Sequence, residues 1–262
     1  MKTLTLILSG IVLSLILIAQ TSAEQELAHV NAQLSKSPND IKLLYQRADL
    51  YDQQNDFDRA NNDYKKIIEL YNKKRGRETI GEFTKSCYRL ADDYFFRQSD
   101  KEQALKYIQE GLKGAPGLKD LEILQAVVIG SDAARQQEAD ALFLSLTEKY
   151  PNDARLLRYY ARFLKDKDPL RAAQYYEKTV SLNPQDIESL LMLGTIYNNE
   201  ASRLSAPGSR EDKDSGSPAV YMKKSIRYFE QAQRLIPDDP EVKNILKVMY
   251  TELPAEKPNL PY

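Results

Sequence analysis

Catalysis and metal binding start from a small set of side chains, and this chain holds few of them. His29 is the sole imidazole and Cys87 the sole thiol in 262 residues. One of each cannot assemble a thiolate–imidazole zinc site, and a single cysteine closes no intramolecular disulfide. His29 lies two residues from Leu27, on a segment whose apolar residues Leu27, Val30 and Leu34 recur at helical spacing. That places it on the solvent side as an inert surface residue. Cys87 falls between Phe83 and Leu90 at helical spacing, where a thiol packs as a small hydrophobe. Asp92 and Asp93 are adjacent, so they diverge on a helix and form no hydrolase acid–base pair. The chain contains no Gly-x-Gly-x-x-Gly, Gly-Lys-Ser/Thr or His-Glu-x-x-His run. These residues predict a protein that is not an enzyme and takes no cofactor or metal.

The remaining chemistry is that of binding. Arg155, Arg158, Arg162 and Lys165 make one helical stripe, opposite Leu156, Leu157, Tyr160, Phe163 and Leu164. Such a stripe suits an acidic segment or a C-terminal carboxylate. Its plainer role is a solvated face, with Asp or Glu neighbours neutralising it. Lys73-Lys74-Arg75-Gly76-Arg77 reads either as a patch for an anionic partner or as a solvated linker whose cations suit a helix end. The 17 tyrosines could stack on ligands, but their positions favour core packing. Lys and Arg total 37 against 38 Asp and Glu, a net charge of -1. That balance gives no bulk attraction for nucleic acid or an anionic membrane.

Prolines show which elements must carry these residues. Pro38, Pro116, Pro151, Pro184 and Pro237 are separated by 78, 35, 33 and 53 residues. The beat is about 34, with some ten extra residues in the first gap and nineteen in the last. Twelve residues before the last four prolines stands a small residue (Ala104, Ala139, Ala172, Ser225), and eight before them a bulky one (Ile108, Phe143, Tyr176, Phe229). Ala60 and Tyr64 repeat the pair, with Asn72 in the proline's place. Residues four apart share a helical face: the small one admits a neighbouring helix and the bulky one fills the gap. Ahead of the last pair, Leu190-x-x-Leu193-Gly194-x-x-Tyr197 marks a preceding helix, and Leu44-x-x-Arg47-Ala48-x-x-Tyr51 is a weaker version.

In these motifs the chain resembles the tetratricopeptide repeat family, over roughly residues 26–252. It departs from the family in lacking the repeat's Trp altogether. The resemblance implies an all-α fold, a right-handed α-α superhelix of about five helix–turn–helix repeats. These span about 39–72, 82–116, 117–151, 152–184 and 185–237, with a loop insertion about 200–218. Capping helices at about 24–36 and 239–253 close the ends, and 254–262 is a Pro-rich tail. In this family the first helix of each pair lines the concave groove where partner peptides usually lie. Lys42, Tyr45, Asp49 and Asp52 share one face of the first such helix, and Ser86, Arg89, Asp93 and Phe96 one face of the second. The expected partner-binding set is therefore Tyr45, Asp49, Asp52, Arg89, Asp93, Arg155, Arg158, Arg162 and Lys165. The five-residue set by which family members clamp the acidic C-terminal tails of chaperones is not reproduced.

The first residues read as an address. Met1-Lys2 precedes an apolar run from Leu4 to Ala19, and Thr21-Ser22-Ala23 offers a signal-peptidase site, so 1–23 is predicted to be a signal peptide cleaved after Ala23. The run falls short of the ~20 residues that cross a bilayer comfortably. No cysteine stands near that site to accept a lipid. The expectation is an exported scaffold, periplasmic or secreted, that binds a protein or peptide and no nucleic acid, with membrane contact only if the N-terminal segment is not cleaved. The alternative is a structural subunit of a cell-envelope assembly complex, held at the membrane by that uncleaved helix.

Overall fold

Aspartates start most of the helices. Asp40, Asp56, Asp100, Asp153, Asp168 and Asp186 each accept a hydrogen bond from a backbone N–H of the following first turn. Each such cap satisfies a donor that the helix itself leaves unpaired, and contributes about 1 kcal/mol. The computed structural model describes residues 23–206 and 217–252. Helix α1 covers 23–36. It is followed by α2 (Ile41–Gln53), α3 (Phe57–Lys73), α4 (Ile80–Phe96), α5 (Lys101–Gly114), α6 (Lys119–Gly130) and α7 (Gln136–Lys149). Then come α8 (Ala154–Leu164), α9 (Pro169–Leu182), α10 (Ile187–Ser205), α11 (Pro218–Leu235) and α12 (Pro240–Glu252). No strand occurs among the described residues. The chain is all-α, built from helix–turn–helix repeats.

The chain divides into two compact units, with the boundary between Val128 and Ile129 in the sequence of α6. In the first, α2 pairs with α3, α4 with α5, and α3 stacks on α4. Val30 and Leu34 of α1 join the same core as Leu44, Ala48, Tyr64, Phe83, Cys87 and Leu90. In the second, α8 pairs with α9 and α10 with α11, while α9 stacks on α10 and α12 on α11. Val242, Leu246 and Met249 of α12 close that unit against Phe229. The small–bulky pairs lie at the centre of both units: Ala60 and Tyr64, Ala104 and Ile108, and Ala172 and Tyr176 are fully buried. Gly194 shows why a small residue is needed, since a Cβ there would stand 2.7 Å from the Phe229 ring. Burial at these positions supplies the main stabilisation, roughly 1.5–3 kcal/mol for each large apolar side chain.

The interruptions take a different form from the one expected. α3 and α4 have 17 residues each, against 14 in α5, α7 and α9. Much of the first insertion is therefore extra helix, joined by a short 3-10 turn at Arg77–Thr79. The predicted 200–218 loop is also shortened. α10 continues to Ser205, because Ala201 and Leu204 extend its buried apolar series beyond Tyr197. What remains of that insertion (207–216), the signal segment up to residue 22 and the Pro-rich tail lie outside the described residues. No helix among the described residues is long and apolar enough to cross a membrane.

Candidate functional site

In the first unit the faces of α2 and α4 and the start of α6 enclose a groove of about 590 Å³. Tyr45 contributes from α2; Gly81, Thr84, Lys85, Tyr88 and Arg89 from α4; Leu118 to Leu121 from the last turn before α6 and its start. These α4 residues are spaced 3, 1, 3 and 1 apart, so they form one continuous face. Gly81 leaves open space, as a Cβ there would meet nothing within 4 Å. The Thr84 hydroxyl donates back to the Gly81 carbonyl at 3.1 Å.

Charge on this floor is mixed and closely set. The Arg89 guanidinium lies 3.7 Å from Asp49 and 3.8 Å from Asp52, beyond hydrogen-bond length to either. Lys85 Nζ sits 5.5 Å from the centre of the Tyr45 ring, a cation–π contact. The Tyr64 hydroxyl donates to Asp52 at 2.7 Å from beneath. Burial raises the Asp52 carboxyl above its ordinary value, against the lowering effect of the Tyr64 hydroxyl and Arg89. Burial likewise raises the Tyr45 phenol, with Arg89 opposing. The groove is thus lined by Lys85, Arg89, Lys119 and Asp120 around Tyr45 and Tyr88, with Asp49 and Asp52 beside Arg89. Such a surface can pair with a peptide's charged side chains and stack against its apolar ones.

The structure thus brings four of the predicted residues together: Tyr45, Asp49, Asp52 and Arg89. Asp93 lies near enough for its charge to act on Asp52, but it does not line the groove. Asp93 is buried at the end of α4, where it accepts from Asn61 (2.8 Å), Arg97 (2.5 Å) and Gln98 (2.5 Å). The expected α4 face was one residue out of register, since Ser86 is buried as well. Lys85 and Tyr88 were the groove residues it missed. Their signal was the four-residue step from Gly81 to Lys85 to Arg89.

The basic stripe of α8 proves to be largely neutralised. Asp186, which caps α10, also accepts from Arg158 at 2.9 Å. Glu188, in the first turn of α10, takes a two-pronged contact from Arg162. Lys165 has its nearest carboxylate, Asp166, at 3.5 Å, and Arg155 is half-buried on the same helix. Fork-shaped pairing of this kind holds the side chains in place and removes the continuous positive strip. The one thiol, Cys87, is buried, and burial pushes its ionisation well above the usual thiol range. His29 is exposed and bonded to Gln33 on its own helix. Among the described residues no three His, Cys, Asp or Glu side chains converge to hold a metal ion.

Comparison with known proteins agrees with this geometry. The tetratricopeptide repeat profile matches residues 41–74, the α2–α3 pair. A curated relative, the Photosystem I assembly protein Ycf3 of Rippkaea orientalis, is 31% identical over 104 residues. That match covers 38% of this chain and 57% of the relative, so the chain spans little more than half of that protein's length. Among solved structures, PilW, a type IV pilus biogenesis factor, superposes with a TM-score of 0.64 at 14% identity, covering 87% of this chain and 93% of PilW. A tetratricopeptide repeat protein from Parabacteroides merdae gives 0.57 at 16% identity, covering 88% and 78%. YrrB, described as having an unusual peptide-binding site, gives 0.52 at 15% identity, covering 83% and 97%. The α2–α3 pair thus matches a tetratricopeptide repeat, and the described helices share the fold of solved tetratricopeptide-repeat proteins.

Proposed function

We propose that this protein is an exported, non-enzymatic scaffold that holds a protein or peptide partner in the groove of its first unit. The observation that carries the reading is the floor of that groove, where Lys85 and Arg89 stand beside Tyr45 and Tyr88, with Asp49 and Asp52 within reach. A segment carrying both acidic and apolar residues would match it. The α8 stripe becomes a joint between repeats in this reading, and the binding role falls on Tyr45, Lys85 and Arg89. Export is supported by the three-part pattern of residues 1–23.

The test is a partner pull-down with the exported form, comparing wild type with a Lys85→Glu, Arg89→Glu variant. Both side chains are exposed. Helicity and melting should therefore change little, while partner recovery falls about tenfold or more. Recovery that stays equal in a folded variant would remove the groove from the mechanism. N-terminal sequencing separates this reading from a membrane-held subunit of an envelope assembly complex: a start at Glu24 supports the released scaffold, and retention of Met1 or Lys2 supports the anchored one.

A further inference from the structure

A second cavity lies in the first unit, at the place where the repeat is broken. The extra turn of α3 and the link after it carry Tyr71, Asn72 and Arg75 against the last two turns of α5. Together with Lys106, Glu110 and Lys113 they enclose about 390 Å³. Its floor is an aromatic pair: Tyr71 and Phe83 stack with centroids 4.1 Å apart and planes 16° apart. α5 can settle on that floor because Gly114 has no Cβ, which would otherwise stand 2.4 Å from Phe83.

Three cations and one carboxylate border this space. Among the described residues Arg75, Lys106 and Lys113 make no ion pair, whereas the nearby Lys73 is paired with Glu69. Glu110 is already engaged, accepting from the Asn72 amide. Cations near the ends of α3 and α5 suit the helix dipoles, and Lys73 and Lys113 in the last turns meet that need. It does not account for Arg75, which lies beyond the end of α3, while Lys106, two turns earlier, holds its Nζ 5.3 Å from the centre of the Tyr107 ring. A fork-shaped guanidinium and two lysines bordering one small space match an oxyanion with several acceptor oxygens. The volume lies within the range of small-ligand sites, with room for more than a bare ion.

We propose that this cavity binds the phosphate group of a small phosphoester or of an anionic lipid headgroup. The site is separate from the groove and does not depend on it.

The full exported chain would be titrated with inorganic phosphate and with glycerol phosphate against chloride at matched ionic strength, following thermal melting and calorimetric heat. A parallel arm would use sedimentation with phosphatidylglycerol vesicles against phosphatidylcholine vesicles. A saturable phosphate response, weakened roughly tenfold or more by Arg75→Glu with Lys106→Glu, is expected. Selective vesicle binding lost in the same variant would identify the lipid as the source, and a response to soluble phosphate alone would identify a small phosphoester. Circular dichroism checks that the variant folds, and Lys113→Gln provides a milder second variant. Arg89→Glu in the groove should leave the phosphate response unchanged, so this site and the groove fail independently. No selective response in either arm, or a response that persists in the double variant, overturns the proposal.

Discussion

In the first unit charged and amide side chains fasten neighbouring helices, whereas the second adds a recurring tyrosine–carboxylate bond to its arginine pairs. Arg47 of α2 makes a two-pronged bond to Asp63 of α3, at 2.6 and 2.7 Å, and reaches Asn31 of α1 at 3.0 Å. Asn61 of α3 donates to Asp93 of α4. In the second unit Tyr160 donates to Asp140 at 2.7 Å, Tyr197 to Glu177 at 2.8 Å and Tyr250 to Glu230 at 2.5 Å. The partners in each of these three pairs are 20 residues apart, linking the second helix of one repeat to the helix that follows it. The turns differ too. Asn55 and Ser99, each just before a capping aspartate of the first unit, hold φ of 59° and 56°. No other non-glycine residue among those described adopts that conformation. One repeat plan therefore tolerates two kinds of polar joint, because the apolar core sets the helix spacing and any polar pair that fits that spacing will serve.

Alkali should break this comparison most strongly. Burial raises the phenols of Tyr64, Tyr160, Tyr176 and Tyr197 well above their ordinary value of 10.0, and that of Tyr228 to about 12. The unfolded chain ionises these groups near pH 10 while the folded chain keeps their protons. The stability they contribute is complete below that pH and is lost as pH rises through the folded values. At pH ~11 the loss is about 1 kcal/mol for each buried tyrosine, enough together to lower the melting temperature sharply. A melting temperature that is flat between pH ~9 and ~11 would contradict this account. Replacing Tyr160, Tyr197 and Tyr250 by Phe should make the fall shallower, leaving the share of Tyr64, Tyr176 and Tyr228.

Next in size is Arg47→Ala, which strands the nearly buried Asp63. It should destabilise by about 3 kcal/mol in urea unfolding, and a loss below 1 kcal/mol would show the joint to be dispensable. Tyr160→Phe removes a donor to a carboxylate and a partner of Arg171, for about 1.5 kcal/mol. Additivity with Tyr250→Phe, at the other end of the unit, would establish that the tyrosine joints act independently. The smallest effect is a gain: Ser99→Gly relieves a left-handed residue and should stabilise by up to about 1 kcal/mol, whereas Asn55→Gly should give less because Asn tolerates that conformation.

The repeat was legible at its apolar positions. A 34-residue beat of small and bulky residues is a direct consequence of stacking helical pairs, and all five pairs are buried as that beat requires. The polar positions were harder to read. Seen alone, Arg158 and Arg162 look like a binding strip, yet Asp186 and Glu188, more than twenty residues on, face them across a joint. Asp93 carries no local sign that Asn61 will claim it. The aspartate before most helices was an available signal for the caps, because an N-cap is a contact within one turn.

The sequence by itself determined the helices, their pairing period and the scarcity of catalytic groups, because each follows from interactions within a turn or from counting residue types. Only the tertiary structure decided which charges are spent on joints and which remain in grooves. Pairing across a joint depends on the rotation of each helix about its axis, and a shift of one residue turns a side chain by about 100°. That rotation is set by core packing between helices, and it leaves Lys85 and Arg89 beside the groove while it gives Arg158 and Arg162 to the next repeat.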